Sequence, residues 1–234
     1  MSGSADATVQ RYAAGERNFS RVQLREADLI NALFKEADFS HADLRQARFG
    51  KTDFSHACFK LADLSESLLW GTDLSHADLT EAILREADLS GAKLIEANLK
   101  SAVLCKASLC GTNLVAANFS HANLFEADFR PGSDQRTDLR RAILTNADLS
   151  YAHLSGAILT EVNLDRAKLC RARLDPRPQQ GIPAADLSGA SLRYADLSYA
   201  NLSGAILRGA DLTGADLTGA NLVGADFQDA VMPE

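Results

Sequence analysis

Few residues in this 234-residue chain suit chemistry by type and spacing. Glu36, His56, His76 and Glu96 follow one another at steps of twenty. Two imidazoles and two carboxylates make a zinc ligand set if the fold gathers them. The four cysteines, Cys58, Cys105, Cys110 and Cys170, show neither a CxxC pair nor a Cys/His zinc spacing. They read as free thiols, which fit a reducing cytosol. Recognition chemistry is better represented. Trp70 is the only tryptophan, and arginines gather around two proline-containing breaks: Arg130, Arg136, Arg140 and Arg141, then Arg166, Arg171, Arg173 and Arg177.

Whether any of these residues meet depends on the elements that carry them. From Ser75 to Leu99 the chain reads SHADL TEAIL READL SGAKL IEANL, with a leucine every five residues and an alanine two before each. Neither the helical period of 3.6 nor the strand period of 2 produces that pattern. A fixed five-residue period kept from about Asn18 to Met232 is a repeat architecture. Inward Leu or Phe centres with inward small residues fill a narrow core, and the remaining positions hold polar residues that face water. Each buried Leu contributes about 1.5–3 kcal/mol.

The pattern A(D/N)LXX resembles the pentapeptide-repeat family. The resemblance implies an all-β solenoid, a right-handed quadrilateral parallel β-helix in which four units make a coil of about 20 residues. Coils spaced by about 4.8 Å give a rod roughly 50 Å long. Residues 1–17 are expected to form a capping helix, with Ser4 or Asp6 at its start, Gly15 at its end, and Val9, Tyr12 and Ala13 on one face. Residues 18–232 form one repeat β-helix, interrupted by loops near 130–137 and 175–184. Leu139 resumes the earlier phase, so the first loop reads as one side of the square replaced at equal length. With Ile182 as a weak centre, the second inserts three residues.

Steps of twenty then define columns of stacked side chains. Glu36, His56, His76 and Glu96 share a corner, as zinc ligands or as exposed neighbours without a ligand. Phe19, Phe39 and Phe59 stack, as do Phe34 and Phe54. All four cysteines fall at outward positions. Trp70 projects outward above Cys110 and Arg130 in its column, with Gly71, Gly91, Gly111, Tyr151 and Arg171 alongside. Trp70, Cys110, Arg130, Arg136, Arg140, Arg141, Tyr151 and Arg171 are therefore the candidate protein-binding residues, in the aromatic-and-arginine composition of interface hot spots. An alternative apolar stripe runs through Ile83, Val103, Phe125 and Ile143. It fits a partner face or the simple suitability of β-branched residues for extended backbone.

A convex rod offers no cleft for paired carboxylates or a nucleophile, so no enzyme activity and no cofactor are expected. A net charge of −7 argues against direct nucleic-acid binding. No apolar run long enough to span a membrane and no secretory pattern is present, and a cytoplasmic monomer is expected. The resemblance extends to a cyanobacterial regulatory member of the family through YAAGERNF, LLWGTDLS, RPGSDQRTDL and AKLCRA. It implies a scaffold that contacts the transcription regulator HetR in heterocyst differentiation. The alternative is a DNA-mimicking inhibitor of a type II topoisomerase, which some family members are. Against that reading, 31 acidic residues are interleaved with 24 basic ones.

The inward assignment is testable by one pair of variants. Leu104→Asp should lower stability by several kcal/mol through a buried unpaired carboxylate, while Lys100→Asp should stay within about 0.5 kcal/mol. Equal thermal shifts for the two would contradict it.

Overall fold

The computed structural model describes residues 4–233; Met1–Gly3 and Glu234 lie outside them. The chain winds as a right-handed quadrilateral β-helix whose coils pair in parallel register. In a typical unit the Phe54 N–H donates to Asp73 O at 2.7 Å and the His56 N–H to Ser75 O at 2.9 Å, both one coil ahead. The Asp73 N–H donates back to Thr52 O at 3.0 Å, and the Ala57 N–H closes the turn on Phe54 O at 3.0 Å. The centre and the small residue point inward: Leu104, Ala107 and Leu109 are all fully buried.

Each corner requires one residue in the left-handed region. His56, Glu81, Lys106, Tyr151 and Arg171 all hold φ between 57° and 62°. That conformation costs a non-glycine residue roughly 1–2 kcal/mol, offset here by the forward ladder bond and by burial of the neighbouring centre. The Asp or Asn preceding many of the centres also has a physical reason. Its side chain accepts the N–H two residues on, as Asp73 does from Ser75 at 3.0 Å and Asn118 from Ser120 at 3.0 Å. These are Asx turns that satisfy a corner donor. Small polar residues at inward positions are likewise paired: Thr52 donates to Leu29 O at 2.6 Å and Ser67 to Leu64 O at 2.7 Å.

Helix α1, Ala5–Ala13, caps the first coil. Ser4 is its N-cap, its hydroxyl accepting the Ala7 N–H at 3.2 Å. Its inward face is not the expected Val9 face. Val9 is 41% exposed, whereas Thr8 is buried and Ala5 and Tyr12 pack on the core. Tyr12 sets the face by meeting the Phe34 ring at 5.3 Å and donating to Lys35 O at 3.0 Å. The phenylalanine columns form as stacks, Phe19–Phe39 at 5.3 Å, Phe39–Phe59 at 5.4 Å and Phe34–Phe54 at 5.8 Å.

Both interruptions differ from expectation in length. Asn98 pairs with Asn118 at the regular step of 20, but Asn113 pairs with Asp138 and Asp128 with His153, a step of 25. The first loop therefore inserts five residues rather than replacing a side. Ile158 pairs with Asp186, a step of 28, so the second loop inserts eight residues and not three. Ile182 is no centre: it pairs antiparallel with Arg177 across the turn Pro178–Gln180. Both loops leave the rod at the same edge. Numbering the faces from the one containing Asn18, that edge joins the third face (Asp28, Arg48, Leu68 through Asp128, His153, Arg173) to the fourth (Leu33, Asp53, Asp73 through Asp138, Ile158, Asp186).

The Asx carboxylates make stability acid-sensitive. Burial pushes Asp78 up, but hydrogen bonds from Thr80 and the nearby Lys60 outweigh it, leaving the carboxyl below its ordinary value. Asp73 shifts the same way, burial being outweighed by Ser75 and Lys93. A lowered folded-state pKa contributes stability above the ordinary carboxylate range, lost as pH falls through the folded value. Thermal melts should therefore be flat from about pH 7 to 5 and fall below about pH 4. Asp73→Asn should keep the turn and weaken that acid dependence, while Asp73→Ala should cost about 1 kcal/mol.

Candidate functional site

The third-to-fourth edge is unlike the other three. Its corner positions read Asn31, Lys51, Gly71, Gly91, Gly111, then Gly156, Gly204 and Gly224. The indole of Trp70 does not project outward. It folds back over Gly50, where an added Cβ would fall 2.3 Å from the ring, and Lys51 Nζ lies 5.6 Å from its centroid. Beyond the indole lies a groove of about 470 Å³ with Gly71, Gly91 and Gly111 along its floor and Ser90 and Cys110 beside them. Its far wall is Gly132–Gln135 of the first loop.

Backbone contacts hold that wall. The Gln135 side-chain amide donates to Gly111 O at 2.5 Å, and the Gly132 N–H closes the loop on Gln135 O at 2.9 Å. A Cβ on Gly111 would lie 3.0 Å from Gly132, so glycine is required there for close approach. Thr137 fixes the root of the loop: its hydroxyl lies 2.8 Å from Arg130 O and accepts the Gly111 N–H at 2.8 Å. Gly156, one coil on, sits where a Cβ would be 2.8 Å from both Pro131 and Ile182. The two loops thus meet across Gly156 and form one continuous irregular surface. At Gly91, by contrast, an added Cβ would meet nothing within 4 Å.

Of the expected binding residues, the structure brings Trp70 and Cys110 to this groove, with Arg130 at its end. Arg130 is committed, its guanidinium forming two bonds to Asp128 at 2.9 and 2.6 Å. Burial raises the Asp128 carboxyl, but Arg130 more than compensates and holds it low. Burial also raises the Cys110 thiol, with Asp128 adding to it, so the thiol form is favoured. Arg136 turns inward to Gly156 O at 2.6 Å, and Arg140 pairs with Asp138 at 3.0 and 2.6 Å on the fourth face. Arg141 lies on the fourth-to-first edge, 4.0 Å from Glu161. The arginines do not form one free basic patch.

Two columns are corrected by the five inserted residues. Tyr151 and Arg171 belong to the second-to-third edge with Glu126, away from the Trp70 groove. Ile143 follows Asn118 on the first face, so it leaves the stripe of Ile83 and Val103 on the second. Tyr151 joins that stripe instead, its ring 5.5 Å from Phe125. Cys105 is buried rather than outward, in a column between Arg85 and Phe125. On the fourth-to-first edge His56 and His76 stack at 4.7 Å, with His76 Nδ1 3.5 Å from Glu96. Sequence reasoning missed Gly50, Gly156 and Gln135. The detectable signal was the glycine run at one corner beside both breaks.

The model of pentapeptide repeats matches in eight copies, over residues 18–55, 57–94, 92–130, 135–175, 184–209 and 195–232. Among solved structures, the chain is 58% identical to HetL of the cyanobacterium Nostoc sp. strain PCC 7120, a pentapeptide-repeat protein involved in heterocyst differentiation regulation. That match covers 100% of this chain and 98% of HetL, with a TM-score of 0.97. Rfr23 of the cyanobacterium Cyanothece 51142 is 39% identical over 43% of this chain and 67% of its own, TM-score 0.29. The fluoroquinolone resistance protein QnrB1 is 22% identical over 88% of this chain and 94% of its own, TM-score 0.40. No curated protein sequence gives a significant match. With the repeat matched from residue 18 to residue 232 and the whole coil path shared with HetL, this chain belongs to the pentapeptide-repeat family.

Proposed function

We propose that this protein is a non-catalytic regulator that acts as a monomer, docking a partner protein along the third-to-fourth edge. The carrying observation is positional. Both loops, the glycine floor and the half-buried Trp70 lie on one edge, while the other edges keep the repeat through the same coils. A solenoid closes its coils with another pentapeptide at no loss, so irregular chain at one place has no stability reason. Loops on a rigid scaffold commonly carry recognition. Aromatic anchors beside a groove are the usual centre of an interface.

The partner we propose is a transcription regulator of the HetR kind, acting in cyanobacterial cell differentiation. Similarity to HetL supports this, because it runs over the full length of this chain at 58% identity with a TM-score of 0.97. Catalysis has no place in the reading, since the groove's titratable groups are one exposed carboxylate, Asp134, and a thiol favoured in its neutral form. Among the described residues no helix is long and apolar enough to cross a membrane.

The test deletes residues 132–136 and replaces Pro131 with Gly. This restores a regular pentapeptide, and glycine is needed because position 131 becomes a left-handed corner that proline cannot adopt. The variant should melt within a few degrees of the parent yet bind HetR at least tenfold more weakly by calorimetry. Gly91→Arg should act likewise, since Arg141 and Arg171 hold the same corner conformation at φ 57° and 58°. Unchanged affinity in both folded variants would move the interface to the Ile83, Val103, Phe125 and Tyr151 stripe.

A further inference from the structure

The second face is bounded late in the chain by two edges built alike. Arg166 is the corner on its first-to-second edge and Arg171 the corner on its second-to-third edge, both exposed and both at φ 58°. Arg166 Cζ lies 5.3 Å from the ring centroid of Tyr194, and Arg171 Cζ 5.0 Å from that of Tyr199. Each tyrosine is the corner one coil further on. Each ring also lies against a glycine of the following coil: an added Cβ would fall 2.6 Å from Tyr194 at Gly214, and 2.7 Å from Tyr199 at Gly219. The same three residue types therefore stack on both sides of one face.

These guanidiniums are held by rings and not by carboxylates. Arg45, Arg130 and Arg140 follow their centres directly and fold back onto the Asp two residues before. Arg166 and Arg171 stand one residue further on, and their own units hold Asn163 and Lys168 where those others hold Asp. Among the described residues neither forms an ion pair, the neighbouring Asp165 being bound to Arg193 and Asp175 lying 3.6 Å from Arg173. Stacking on an aromatic face fixes a guanidinium while its N–H groups stay available. Charge also changes sign here, since the second-to-third corners before Tyr151 include Glu66, Glu86 and Glu126. The floor between the edges is closer to balance, with Lys168 between Asp148 and Asp196 in the ladder. Both carboxylates accept an Asx-turn N–H at 2.9 Å.

We infer that the second face between these edges docks an acidic segment of a partner protein, lying across the rod with a carboxylate on each guanidinium and uncharged residues over the floor. Charge complementarity selects the carboxylates, which match the arginine forks at two points. The two forks stand on opposite edges of an open face, so a ligand must span the face to meet both. A peptide segment does so, and a single small anion does not. Nucleic acid fits less well, because each ring already has a guanidinium over it and a glycine against it, leaving no platform for a base. The third face separates this surface from the Trp70 groove, and the inference stands independently of that groove.

The test is fluorescence anisotropy of the full chain at low, fixed ionic strength with a fluorescein-labelled peptide of alternating Glu and Ser. It should bind saturably at one site, with the Gln–Ser peptide at least tenfold weaker. Arg166→Gln and Arg171→Gln should each weaken binding at least threefold and the double variant at least tenfold. Arg25→Gln, an equal charge change at the far end of the same face, should leave it unchanged. The variant lacking residues 132–136 should bind as the parent does, which separates this surface from the groove. Equal binding of the Gln–Ser peptide, full affinity in the folded double variant, or equal loss in Arg25→Gln would overturn the inference. Tighter arginine-dependent binding of duplex DNA or of phosphatidylserine–phosphatidylcholine vesicles would overturn the proposed occupant. So would a dimer by light scattering that the double variant abolishes, since the occupant would then be a second copy of this chain.

Discussion

Everything in this molecule depends on the chain meeting itself again one coil later. The ladder bond from each centre N–H to the carbonyl one coil ahead, such as Leu104 to Asn123 at 2.7 Å, fixes where every side chain stands. With it, Leu and Ala must share a narrow interior, and one residue per side must turn left-handed to reach the next face. Interior packing and corner strain are thus two consequences of one geometric demand. The corner strain of roughly 1–2 kcal/mol per non-glycine residue is tolerable because it is repeated alongside buried centres worth about 1.5–3 kcal/mol each.

The same demand explains what could be read in the sequence. The five-residue period, the inward Leu and Ala and the phenylalanine stacks follow directly from it. Residues before the first loop also fall in their expected columns, as the His56–His76 stack shows. Loop length was hidden for a simple reason. An insertion of one whole period leaves the phase of later leucines untouched, so Leu139 looks as if a side had been replaced. The second loop adds eight residues, and phase reveals only the excess of three over a period. Hence Tyr151, Arg171 and Ile143 were displaced by one face, and the common edge of the two loops was invisible without the ladder.

Side-chain direction was the other thing the pattern did not carry. A period assigns Trp70 and Cys105 to outward positions, but outward describes the Cα–Cβ bond alone. A large ring can lie down over a glycine of the previous coil, as Trp70 does over Gly50. Tyr194 and Tyr199 do the same in the opposite direction, their rings lying where a Cβ on Gly214 or Gly219 would fall. Arg130 and Arg140 likewise fold back onto Asx carboxylates, and Arg166 and Arg171 lie over the Tyr194 and Tyr199 rings, so a basic cluster in sequence is dispersed in space.

Corners are also where this fold can vary without cost to the core. Their left-handed backbone accepts Glu, His, Lys, Arg, Tyr and Gly alike, and their side chains leave the rod. A solenoid has no cleft between domains, so a concave surface has to be made by removing side chains from successive corners and raising walls at the ends. That is the arrangement on the third-to-fourth edge, with Trp70 at one end, glycines between and the first loop at the other. The loop wall is held by bonds to the backbone of neighbouring coils at Gly111 and Gly156, and the Trp70 wall by packing over Gly50. Such a surface is preorganised, and less ordering entropy opposes whatever docks on it.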